Sequence, residues 1–187
     1  QDLIATDRGP ALVYEHDPRL VRLDHHLRDR DEQLGVGHRL ALMRAIAETL
    51  RYAHDRRLYH RALGPQTILV DGGQPDQPRV QLHDWQLARR EADTRFDGSG
   101  LTETLRPTQY GDAQNLLYLA PEVLAGQELD DARIDVFALG ALAYRVFSGQ
   151  PPAASLSELQ RKLDAGGLRL SEVRDGVVES LQELVQL

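Results

Sequence analysis

From Asp135 to Gly149 the chain reads Asp-Val-Phe-Ala-Leu-Gly-Ala-Leu-Ala-Tyr-Arg-Val-Phe-Ser-Gly, apolar on nearly every side of a helical wheel. Such a helix is stable in water only when other elements surround it, which fixes the plan of the fold: one central helix buried in a core. Asp135 reads as its N-cap and Gly149 as its stop, ahead of Pro151-Pro152. The 187 residues, 41% hydrophobic, suffice for one such core, so a single globular domain over 1–187 is expected.

Charge and composition exclude several function classes. A net charge of -7 opposes a nucleic-acid or acidic-membrane surface, since phosphate binding depends on excess Lys and Arg. With no cysteine there is neither a disulfide framework nor a thiolate metal site, and no apolar run approaches a membrane span. Protein partners and a cytoplasmic location are expected. Lys162 is the single lysine, so any role that needs an ammonium falls to it or is absent. A start at Gln1 rather than Met suggests a piece of something longer.

In chain order, Leu3–Thr6 and Ala11–Glu15 are short apolar runs around the turn cluster Asp7-Arg8-Gly9-Pro10, which predicts a β-hairpin. Leu20, Leu23 and Leu27 have helical spacing. His25 and His26 are adjacent and point to different helix faces, so they are read as exposed histidines and not as a metal pair. Gly35-Val36-Gly37 lacks the third glycine of a nucleotide fingerprint and is read as a helix-entry loop. His38 to Arg57 is a long helical stretch whose apolar face includes Leu40, Leu42, Ile46, Leu50 and Tyr52. Ser155 or Ser157 is expected to cap a helix from Leu156 to Leu163, and Val177 to Leu187 is a further amphipathic helix.

Between the two long helices lies Tyr59-His60-Arg61-Ala62-Leu63-Gly64-Pro65-Gln66-Thr67-Ile68-Leu69-Val70, followed by a Gly/Pro-rich turn and a second apolar run, Val80-Gln81-Leu82, ending in His83-Asp84-Trp85-Gln86. The first stretch resembles the catalytic loop of protein kinases, His-Arg-Asp-Leu-Lys-Pro-x-Asn before a short strand, in which the Asp is the base and the Asn a magnesium ligand. Here Ala62 stands at the base, Gly64 at the loop lysine and Thr67 at the metal-binding Asn. Asp84-Trp85-Gln86 is similar to the family's Asp-Phe-Gly: Asp84 matches the magnesium ligand, Trp85 keeps the aromatic, and Gln86 replaces the flexible glycine. Tyr118-Leu119-Ala120-Pro121-Glu122 is similar to the motif that closes the activation segment, with Asn115 where Ser/Thr kinases carry a threonine. In that family the central helix opens on an Asp that accepts backbone amides of the catalytic loop, which implies such a contact from Asp135 to His60-Arg61.

The resemblance implies a mainly α chain with small β-hairpins (α+β), a kinase-like C-terminal lobe whose N-terminal lobe lies largely outside it. Residues 1–19 would be a strand pair and hinge, 20–187 the lobe, and 84–122 an activation-segment-like loop. His60, Arg61, Trp85, Glu122 and Asp135 are the retained structural residues. Ser99, Thr102, Thr104 and Thr108 are candidate phosphoacceptors, with Arg61 the family's usual phosphate partner. Leu58–Leu63 is also similar to the kinase-like portion of large bacterial phage-defence proteins. The expected function is a pseudokinase-type regulatory or protein-binding scaffold with little or no phosphotransfer and no cofactor, acting on proteins or other domains of a parent chain. The alternative is a fragment of an ATP-dependent Ser/Thr kinase with unusual residues, which would use ATP and magnesium and would need another base, His83 being the candidate near Ala62.

Overall fold

A computed structural model describes residues 2–7, 9–13, 17–71, 73, 77–90, 114–127, 130–173 and 179–185. Ser99, Thr102, Thr104 and Thr108, and parts of the turns after Thr6 and Asp71, lie outside them. Helices predominate among the described residues, beside three small antiparallel sheets.

The chain opens with an antiparallel hairpin of β1 (Asp2–Thr6) and β2 (Gly9–Val13), in register from Asp2 opposite Val13 to Thr6 opposite Gly9. The spacing of Leu20, Leu23 and Leu27 predicts helix from Leu20 onward, but the helix begins only at Leu23. Instead Val21–Arg22 forms β3, which pairs with β5 (Ile68–Asp71), itself paired with β6 (Arg79–Leu82). Ile68 and Val70 on the central strand are fully buried, as the period of two requires. Helix α1 (Leu23–Arg30) follows β3, and α2 (Val36–His54) packs against both β6 and α4 (Asp131–Ser148). A further two-residue pair, β4 (Leu58–Tyr59) with β7 (Arg89–Arg90), flanks the loop that begins at His60. After α4 come α5 (Leu156–Asp164) and α6 (Glu179–Val185).

Helix α4 is the central element, with Ala138, Ala141, Leu142, Ala143 and Val146 buried in the main core beside Leu23, Leu27, Ile46 and Leu63. Two details differ from the sequence reading. The helix starts four residues before Asp135: Asp130 is the N-cap, its carboxylate accepting from Ala132 N–H at 3.0 Å. Asp135 therefore lies one turn inside. Nor is the helix buried all round, since Val136 is 57% exposed. Its C-terminus is closed by Gly149 at φ 76, a backbone conformation that favours glycine, and a Cβ there would press on the Asp31 carboxylate, 2.7 Å from Oδ2.

On α2 the buried stripe is Arg39, Leu42, Met43, Ile46, Leu50 and Ala53. Leu40 and Tyr52, expected on the buried face, are 46% and 60% exposed; Arg56 stacks over the Tyr52 ring. Arg39 is the surprise in the stripe. Only 2% exposed, it donates to the carbonyls of Leu34, Asp31 and Val146 and pairs with Asp31, stitching the start of α2 to the last turn of α4. His26 is also buried rather than exposed, and burial together with the Arg30 charge holds its pKa below the ordinary histidine value. Ser155 caps α5 by accepting from Glu158 N–H, and Lys162 donates to Pro152 O and pairs with Glu158.

Candidate functional site: the loop after β4

The loop from His60 to Thr67 is suspended from α4. Asp135, with no exposed surface, accepts the N–H of His60 at 2.8 Å through Oδ2 and the N–H of Arg61 at 2.7 Å through Oδ1. His54 Nε2, at the end of α2, lies 2.8 Å from the same Oδ2. A carboxylate accepting several bonds is the strongest way to satisfy amides in a buried turn. The turn needs this anchor because Arg61 has φ 65, a left-handed conformation costly for a residue with a long side chain.

One turn earlier on the same helix face, Asp131 takes the Arg61 side chain, with Arg61 Nε 2.9 Å from Oδ1. Arg89 on β7 reaches the other oxygen at 3.6 Å. Burial pushes the Asp131 carboxyl upward while the two guanidinium charges pull it down. Sequence reading missed Asp131 and His54. The signal for the first was its spacing of four from Asp135, which places both carboxylates on one face.

His60 is fully buried; its Nε2 lies 3.0 Å from the carbonyl of His83, and its ring meets Trp85 with centroids 4.6 Å apart. A carbonyl only accepts, so Nε2 carries the proton, and desolvation lowers the pKa and keeps the ring neutral. The Trp85 indole donates to Leu82 O at 3.0 Å. Asp84, exposed between these groups, has φ 61, a region that Asp visits more readily than most residues. Gln86 is exposed in the following 3-10 turn, and His83 Nε2 is buried with no hydrogen-bond partner.

The positions expected to be degenerate hold the loop's own shape. Thr67 is buried, and its hydroxyl accepts from Gly64 N–H at 3.0 Å and lies 3.1 Å from Gly64 O. Its oxygen is thereby turned into the loop. Gly64 is buried beside Asn115, whose Nδ2 donates to Gln66 Oε1 at 3.4 Å. Ala62 is partly buried and packs against the cluster of Leu119, Ala120, Val123 and Ile134. Glu122 is exposed on the short helix α3 (Pro121–Leu124), which sits between α2 and α4 in sequence; its backbone carbonyl accepts from Gln127. Among the described residues no group of three or more His, Asp or Glu is placed to hold a metal ion, and no helix is long and apolar enough to cross a membrane.

A loop hung from a buried helical Asp, flanked by a hairpin that ends in Asp-Trp, defines a kinase-like fold. The family model described as the protein kinase domain matches residues 11–179, and the chain belongs to that family. It is 39% identical, over 95% of its length, to "Probable kinase PglW" of Streptomyces coelicolor, covering 12% of that protein. It is 41% identical over 59% of its length to "Serine/threonine-protein kinase PknF" of Mycobacterium tuberculosis, covering 21% of it. The human "Serine/threonine-protein kinase ULK3" is 29% identical over 77% of the chain, which spans 28% of that relative.

Proposed function

We propose that this chain is the C-terminal-lobe part of a protein-kinase-like domain that serves as a regulatory or protein-binding scaffold with little or no phosphotransfer. The observation that carries this reading is Ala62, a methyl group packed on an apolar cluster at the position of the family's catalytic base. Loss of a general base alone costs about 10²–10⁴ in rate. Metal positioning is weakened as well. Magnesium takes oxygen ligands in octahedral geometry, and among the described residues Asp84 belongs to no group of three or more His, Asp or Glu placed to hold a metal ion, while the Thr67 hydroxyl is engaged with the loop backbone. The residues present do not fit the family's magnesium site. His83 is disfavoured as a substitute base, because its Nε2 is buried.

The partners are proteins or other domains of a parent chain, in the cytoplasm. The excess of acidic over basic residues disfavours nucleic acid and anionic membrane. Titration of the full protein with magnesium and ATP, followed by calorimetry, tests the reading. Little or no saturable heat is expected, whereas binding abolished by Asp84→Ala would favour the alternative, an ATP-dependent Ser/Thr kinase with unusual residues.

A further inference from the structure

Two arginines from separate elements converge on one carboxylate at the start of α4. Arg61 belongs to the loop after β4 and Arg89 to β7, yet their guanidinium nitrogens lie 2.9 and 3.6 Å from the two oxygens of Asp131. The Asp131 and Arg61 side chains are only 12% and 18% exposed, while that of Arg89 is 54% exposed. Arg61 Nε is buried and makes no aligned hydrogen bond, so its contact with Asp131 is one of charge. The first turn and a half of α4 thus holds Arg61 twice, by its backbone through Asp135 and by its side chain through Asp131.

We propose that Asp131 is the resident counter-anion of the Arg61–Arg89 pair, a positioning residue that docks β7 and the loop after β4 to α4 without any phosphoryl group. On this account the placement of the loop does not depend on phosphorylation of a hydroxyl beyond Arg90, and an incoming phosphoryl group has to compete with Asp131 for both arginines. The geometry supports this because the carboxylate spans the two cations, one on each oxygen. It also explains why left-handed Arg61 is tolerated: its backbone and side chain are both fixed from the same helix face. The inference is independent of whether the domain transfers phosphate.

Replacing Asp131 by Asn leaves two guanidiniums facing each other without a shared anion, which opens an oxyanion site. The test is thermal melting of the full protein in inorganic phosphate against sodium chloride of equal ionic strength, with hydrogen exchange read at the amides of Leu58, Tyr59, Arg89 and Arg90. The parent is expected to show no phosphate-specific shift. Asp131→Asn should melt lower, exchange several-fold faster at those amides, and recover in phosphate; adding Arg61→Gln should remove the recovery. Asp130→Asn, which changes the helix cap but neither arginine contact, should gain no phosphate response. Parent-like exchange in Asp131→Asn, no recovery in phosphate, or an equal phosphate response in the parent would each overturn the proposal. Should Asp131→Asn not fold, the half-exposed Arg89→Gln carries the test: faster exchange at the β4–β7 pair is expected, and unchanged exchange overturns the docking role. No readout involves phosphotransfer or a partner, so this proposal can fail while the functional reading holds.

Discussion

Asp135→Ala removes the acceptor of two backbone N–H groups, that of His60 buried and that of Arg61 partly buried, and of the His54 ring in one step. A buried donor left without a partner costs about 1–3 kcal/mol, and hydrogen bonds to a charged acceptor sit at the upper end. One buried and one partly buried amide together therefore give about 3 kcal/mol. The His54 contact adds less, since that ring is partly exposed. For a chain of this size about 3 kcal/mol lowers the melting temperature by about 6–12 °C. Urea melts of the parent, Asp135→Ala and Asp130→Ala provide the internal scale, because loss of an N-cap such as Asp130 costs about 1 kcal/mol. The expected order is Asp135→Ala far below Asp130→Ala. If Asp135→Ala melts within about 1 kcal/mol of the parent, or less damagingly than Asp130→Ala, the loop is not held by this carboxylate.

Stability should fall with acid through His60 and His26, whose folded-state pKa values are lowered by burial. The unfolded chain binds their protons near the ordinary value of about 6.5 and the folded chain does not, so this contribution is complete above about pH 7 and is lost as pH falls through 6.5 toward the folded values. His60→Gln keeps a donor for His83 O and should flatten the slope in urea melts between pH 7.5 and 5.5; an unchanged slope contradicts the assignment. Ala62→Asp should cost about 1 kcal/mol or more, because it sets a carboxylate against an apolar cluster. A melt indistinguishable from the parent would show that the cluster does not enclose this position.

The kinase-like loop and the long helices were legible because their signals are local: motif spacing for the first, period and propensity for the second. The buried face of α2 was not. Apolar residues surround that helix, so Leu40 and Tyr52 were as eligible as the true stripe, and the stripe itself contains Arg39, which is buried only because three carbonyls and Asp31 happen to meet it. The strands β3, β4 and β7 are two residues each, too short to alternate, and Arg89-Arg90 is wholly charged; they exist through their partners and not through propensity. The apolar stretch that opens on Asp135 begins later than helix α4 itself, because the first turn, Asp131-Ala132-Arg133, is polar and its carboxylate faces the loop and not the core. At the site, the identity of the missing groups could be read from the sequence. That Ala62 packs on a second cluster is decided by tertiary contacts with residues distant in sequence, and that Thr67 caps the loop by the turn that brings its hydroxyl back to Gly64.

The proposed reading, in which the family's frame is kept and its phosphotransfer chemistry lost, is tested most directly by phosphotransfer itself. With magnesium and γ-labelled ATP, the full protein is expected to place no label on itself or on a generic Ser/Thr substrate, and Ala62→Asp alone should not restore transfer. Steady label incorporation that Asp84→Ala abolishes would contradict the claim.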